Sequence, residues 1–192
     1  MRAALCLALL TLAACDPSNQ ATDPDPDSGT DSASGTDTTA PGDFDFATLT
    51  QAGGCSDVVF YKLSADGTAA LVFTATGQEL TKASYDAGAA VSQTFDLSAE
   101  ASLQLWQGVE LGGLVCNDAL TGNEVKELIW SATAGSAYVT VTTTGDGSGA
   151  GWGAYPASGH LELTGVTLTA PDDGTLSLDS LAWDANVGWL PG

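Results

Sequence analysis

The sequence predicts an all-β domain over residues 44–192. The expected architecture is an antiparallel β-sandwich, jelly-roll or immunoglobulin-like in style, of about eight to ten strands. Three observations point there. Short runs alternate with period two and are rich in Val, Thr, Tyr and Phe. Gly and Asp turn signals separate them at short spacing. The last two runs each change parity once, as paired strands do where a sheet bends.

The elements follow in order. Val58–Leu63 and Ala69–Phe73 flank Asp66-Gly67, a hairpin signal. Gln78–Ala90 is one place where a short helix fits. Leu103–Leu114 is an apolar stretch broken by Gly108 and by Gly112-Gly113. Asp118–Leu128 is a second place where a short helix fits. Val125–Ala132 and Ala137–Thr142 read as two strands joined through Ala134-Gly135-Ser136. Leu161 and Leu163 share a face, and Val166 and Leu168 continue it with parity shifted across Gly165. Leu176 and Leu178, then Leu181 and Trp183, do the same after the turn Pro171-Asp172-Asp173-Gly174. Val187–Gly192 is expected to dock as a final edge strand.

The N-terminal part differs in kind. Arg2 precedes an apolar run from Ala3 to Ala14 that is too short to span a membrane, which takes about 20 residues. It ends Leu12-Ala13-Ala14-Cys15. This resembles the lipobox of bacterial lipoproteins. The resemblance implies a signal peptide over 1–14, cleavage before Cys15 and lipid on its sulfur. A plain secretory signal is the alternative. One acyl chain holds a protein only marginally, whereas the two or three of a lipoprotein hold it durably. Residues 15–43 would be the lipidated cysteine and a disordered acidic linker. From 16 to 43 the chain carries seven Asp and no basic residue, too little apolar surface to offset ordering entropy. Such a segment reaches about 30 Å or more. The layout of anchor, acidic spacer and Gly-rich β-domain is similar to lipoproteins of myxobacteria and related Gram-negative bacteria. The expected location is the cell envelope, at the outer membrane or cell surface. The periplasmic face of the inner membrane is the alternative, because Asp16 follows the cysteine.

Charge narrows function. The chain has 24 acidic and four basic residues and a formal net charge of −20. Without Arg2 its cations are Lys62, Lys82 and Lys126. Nucleic acid is excluded as a partner, since a phosphate backbone requires many cations. Bidentate capture of phosphate or carboxylate requires guanidinium groups. The membrane, through the acyl chains, is the expected anchor; a glycan or a protein is the expected ligand. Cys6 falls in the signal, so Cys55 and Cys116 are the domain's two cysteines and pair as a disulfide in an oxidising compartment.

Catalytic signals are absent, and no catalytic residue is assigned. His160 is the single histidine, and no nucleophile elbow, zinc helix or P-loop occurs. Gly145–Gly149 reads as a plain loop. Two constellations suit binding. Asp57 and Asp118 each lie two residues past a cysteine, and with Asn117 they offer hard oxygen ligands for Ca2+. The alternative is that both Asp cap turns beside the bridge. No cofactor is required. Trp152, set between glycines, and Tyr155 offer an aromatic ligand surface, to which Trp183 and Trp189 would add. The alternative is that Trp152 plugs the end of the sandwich. The leading expectation is a non-enzymatic binding or surface module on a lipid tether. A structural accessory subunit of an envelope or secretion assembly comes second, and an enzyme acting on envelope glycans third.

Overall fold

A computed structural model describes residues 43–75, 79–117, 119–144 and 155–189. The lipobox, the acidic linker, Asp118 and Trp152 lie outside these residues. The described strands and α-helix are β1 (Leu49–Cys55), β2 (Val59–Ser64), β3 (Ala69–Ala75), α1 (Leu80–Ala87), β4 (Val91–Asp96), β5 (Ala101–Val109), β6 (Val125–Thr143), β7 (Ala157–Thr169) and β8 (Thr175–Val187), with short 3-10 turns at Phe46–Thr48 and Leu111–Leu114.

The eight strands are antiparallel, as the sequence predicts. They form one hydrogen-bonded sheet in the order β1-β2-β3-β5-β6-β7-β8, with β4 also paired to β6. The sheet curls on itself. β4 and β5 lie in sequence along one edge of β6, whose Val125–Ser131 end pairs β5 and whose Ser136–Val141 stretch pairs β4. Phe60 of β2 then meets Trp183 of β8 edge to face, and Phe73 of β3 meets Phe95 of β4. None of these strand pairs is a hydrogen-bonded neighbour, so the aromatic rings fill the space the curl encloses. Leu71, Leu103, Leu105, Val139, Leu161 and Leu163 complete that interior. Each such side chain contributes on the order of 2 kcal/mol by leaving water.

The bend lies at one level across neighbouring strands. In β7 the buried positions are Leu161 and Leu163, then Val166 and Leu168. In β8 they are Leu176 and Leu178, then Trp183 after half-buried Leu181. Registry between the two is unbroken through the shift. β6 shifts beside them, with irregular pairing between Ala132 and Ser136. Gly135 has φ 117° and Gly165 φ 60°. The first angle suits glycine alone, and the second is left-handed. β4 and β5 are separated at the corresponding level by the turn at residues 97–100, and Leu97 N–H donates to the Gly135 carbonyl at 3.1 Å. A corner therefore runs across the sheet.

This corrects the expectation of two strands joined through Ala134-Gly135-Ser136. The two expected strands are one strand of 19 residues with a bulge. A reversal there would strand the pairing that β7 supplies on both sides of Gly135. The second place where a short helix fits, 118–128, holds none among the described residues. Val125–Leu128 belongs to β6, because Val109, Gly108 and Gln107 of β5 pair with it. The helix expected within 78–90 is α1.

A second apolar cluster lies on the outer side. Leu63, Ala70, Val72 and Trp106 point away from the main core and are covered by Leu111 and Val115. β3 is thus buried on both faces, which accounts for its continuous apolar run. The cover is residues 111–116, which fold back after Glu110 turns at φ 51°. Cys116 fastens it to Cys55 at a Cα–Cα distance of 5.8 Å. Lys126 lies over the Trp106 ring at 3.3 Å from its centroid. Partial burial lowers the Lys126 pKa.

Two carboxylates, exposed Asp66 and half-buried Glu124, tie turns. Asp66 accepts from the Ser64 hydroxyl at 2.6 Å and from the Thr68 N–H and hydroxyl, and its pKa falls to about 2. Glu124 accepts from the Thr121 N–H and hydroxyl and the Gly122 N–H, and also falls to about 2. Lowered carboxylate pKa values stabilise the fold above the unfolded values, and that stability is lost as pH falls through the folded ones. The melting temperature should therefore drop between about pH 4.5 and pH 2. Melts across this window should show a shallower acid limb in Asp66→Asn and in Glu124→Gln.

Candidate functional site

The outer face of β4, β6, β7 and β8 is left uncovered and polar. Strand register places its side chains in rows. Ser92, Thr140, His160 and Asp184 are successive cross-strand partners, and Thr94, Tyr138, Glu162 and Ala182 form the next row. The first row is hydrogen-bonded at both ends. The Ser92 and Thr140 hydroxyls are 2.8 Å apart, and His160 Nδ1 lies 2.7 Å from Asp184 Oδ1. The Tyr138 phenol lies against Ser92 and Thr140, whose hydrogen bonds lower its pKa.

Two open grooves meet on this face. One, of about 470 Å3, is lined by Thr140, Thr142, Ser158, Gly159 and His160 together with Asp184, Ala185 and Asn186. The other, of about 490 Å3, shares those last three residues and adds Ala52, Gly53, Gly54, Tyr61 and Trp189. β8 thus forms the ridge between them, and the second groove follows the seam between β8 and β1. Neither lining contains Lys or Arg.

The seam is clasped. Gly188 N–H donates to the Ser56 carbonyl at 2.5 Å, and Ser56 N–H donates to the Trp189 carbonyl at 2.8 Å. The indole Nε1 of Trp189 donates to the Asn186 carbonyl at 3.3 Å. The ring is held while 37% of the residue stays exposed. Of the expected final edge strand over 187–192, Val187 ends β8 and Gly188 and Trp189 form this clasp, while 190–192 lie outside the described residues. Tyr61 lies across Gly53, where a Cβ would meet the phenolic oxygen at 2.3 Å.

The residues proposed from sequence separate into different places. Trp183 is 7% exposed and belongs to the core against Phe60, so it adds nothing to a surface. β8 parity decides this, since Trp183 points inward between the outward Ala182 and Asp184. Tyr155 packs against Tyr85 of α1, with ring centroids 5.1 Å apart, and does not line either groove. Trp152 and Asp118 lie outside the described residues. Asp57 turns its carboxylate to α1. It accepts from Leu80 N–H at 3.2 Å, from Thr81 N–H at 3.0 Å and from the Thr81 hydroxyl. Asn117 closes its own turn, exchanging hydrogen bonds with Ala119 at 3.0 Å in both directions. Among the described residues no cluster of three metal-ligating side chains occurs. Asp57 is thus a helix cap supplied from a distant turn, in place of the N-cap residue Glu79, whose side chain makes no capping bond. Asp57→Ala should cost about 1–2 kcal/mol. A thermal melt should show the loss, and Asp57→Asn should recover part of it.

Sequence reasoning identified His160 as isolated and Trp189 as a supplementary aromatic. It missed Asp184, Asn186 and Tyr61, which come together only through the register of β7 with β8 and the curl that brings β8 to β1. The legible signal was alternation: Asp184 and Asn186 are outward positions between inward Trp183 and Val187.

By class, then, this is an all-β domain with a grooved polar face. Comparison with protein-family models, with curated protein sequences and with solved structures found no match.

Proposed function

We propose that the chain is a lipid-anchored lipoprotein of the bacterial cell envelope whose β-domain is a binding module without catalytic activity. The anchor rests on the Leu12-Ala13-Ala14-Cys15 junction. The binding reading rests above all on the two grooves that meet over β8 at Asp184 and Asn186. Their volumes fall in the range of small-ligand sites. Among the described residues the grooves hold one carboxylate, where glycoside hydrolysis uses two. That favours retention of a ligand over its cleavage.

Cys15→Ser should release the protein from membranes. Persistence in the membrane pellet through high-salt and carbonate washes would overturn the anchor. Hydrogen exchange of the wild-type protein on isolated envelopes, compared with purified protein in detergent, tests the binding face. Protection is expected at 140–142, 158–160 and 184–186, and its absence would overturn the binding reading.

One observation favours a structural accessory subunit as the second reading. Val109 and Val125 are direct cross-strand partners and are both about half exposed, and Leu120 is 63% exposed. Exchange protection at these residues instead of the groove would select it.

A further inference from the structure

We infer that the seam groove and its neighbour form a binding site for a neutral oligosaccharide. The inference rests on the binding reading above and names its ligand class. Four features carry it. Trp189 presents a partly exposed indole that donates through Nε1 to the Asn186 carbonyl, while its backbone carbonyl accepts from Ser56 N–H across the seam. Tyr61 lies over Gly53 on the other wall, so two aromatic rings border one groove. Such rings receive the C–H faces of pyranose units, and holding them in advance avoids paying their ordering entropy on binding. The adjoining polar groups are an amide, a carboxylate, an imidazole and hydroxyls, which donate to and accept from sugar hydroxyls. Asp184 is directed by His160 through one oxygen, and its side chain is 85% exposed, so the second oxygen remains available.

The charge of the site selects among ligands. Anionic polymers meet no Lys or Arg in the lining and a strongly negative protein around it. A basic peptide would meet a single groove carboxylate already paired with His160. A neutral glycan can exchange hydrogen bonds with each of these polar groups and meets no like charge.

The test is titration of the full chain in detergent with neutral tetrasaccharides of glucose, mannose and N-acetylglucosamine, and separately with poly-lysine. Calorimetry and tryptophan fluorescence report binding. At least one tetrasaccharide should bind with a millimolar or tighter Kd. Trp189→Ala and Asp184→Asn should each weaken it about tenfold, the effect of losing one good contact. Gly53→Ala, whose Cβ displaces the Tyr61 ring, should also weaken it. Melting temperatures of these variants are measured alongside, so that loss of fold is not read as loss of a contact. Sugar binding that both groove variants retain would overturn the site. Silence of all the sugars would overturn the ligand class. If exchange protection on envelopes persists in that case, or poly-lysine binds and Asp184→Asn abolishes it, the binding face stands and only the glycan assignment falls.

Discussion

Removing the Cys55–Cys116 bridge is expected to lower the melting temperature by roughly 10 °C, through a loss of about 4 kcal/mol. The cysteines are 61 residues apart in sequence, so the bridge closes a long loop. Its chain-entropy contribution grows with loop length. The fold adds a local consequence. Cys116 ends the segment that covers Leu63, Val72 and Trp106. Without the bridge that cover is held only by Leu111, Val115 and a few neighbours. The double variant Cys55→Ala/Cys116→Ala should therefore bind more of a hydrophobic dye before it melts. Its Trp106 should also become more accessible to quenchers. Reduction of the wild-type protein should reproduce both effects. An unchanged melt would show that the cover holds by packing alone.

Gly135→Val is expected to be comparably severe, at about 3–5 kcal/mol. Two costs add. The backbone angle of 117° lies where side chains other than hydrogen are strained, by about 1–3 kcal/mol. A Cβ would also sit 2.8 Å from the Val166 Cα and 3.1 Å from the Gly165 carbonyl oxygen. These are backbone atoms that cannot step aside, and overpacking costs about 1–3 kcal/mol more. Gly165→Ala is the control. Its φ is also positive, but no atom lies within 4 Å of the added Cβ. It should cost only about 1 kcal/mol. Denaturant unfolding of the two variants separates the explanations. Equal costs would mean that the close approach of β6 and β7 at the corner does not matter.

Much of the fold was legible because one face of most strands is buried. Alternation then writes itself into the residues, as in Leu161-Glu162-Leu163 and Leu176-Ser177-Leu178. The parity shifts of β7 and β8 were readable for the same reason, and so was the Asp66-Gly67 hairpin. Alternation carries no information about partners. Residues on either side of Gly135 therefore read as two strands, although Gly135 bulges inside one long strand. The segment after Asp118 offers room for a short helix in the sequence, although β5 pairs with its later residues, which also read as strand. Composition around a cysteine was likewise mute about direction. Its position beside Cys55 leaves Asp57 open to calcium or to a capping role, and its carboxylate reaches Thr81, 24 residues away, and caps α1.

What the sequence by itself determined is local: the strand periods, the antiparallel turns, the acidic and arginine-poor composition, and the two-cysteine inventory of the domain. Tertiary structure alone decided which residues share a surface. Strand register set His160 beside Asp184. The corner brought β8 round to β1, so that Tyr61 and Trp189, 128 positions apart, border one groove. The reason is physical. A strand specifies which side chains face in, through steric and solvent preferences of its own residues. The choice of neighbour depends on pairing and packing energies spread over the whole sheet, and no single segment contains them.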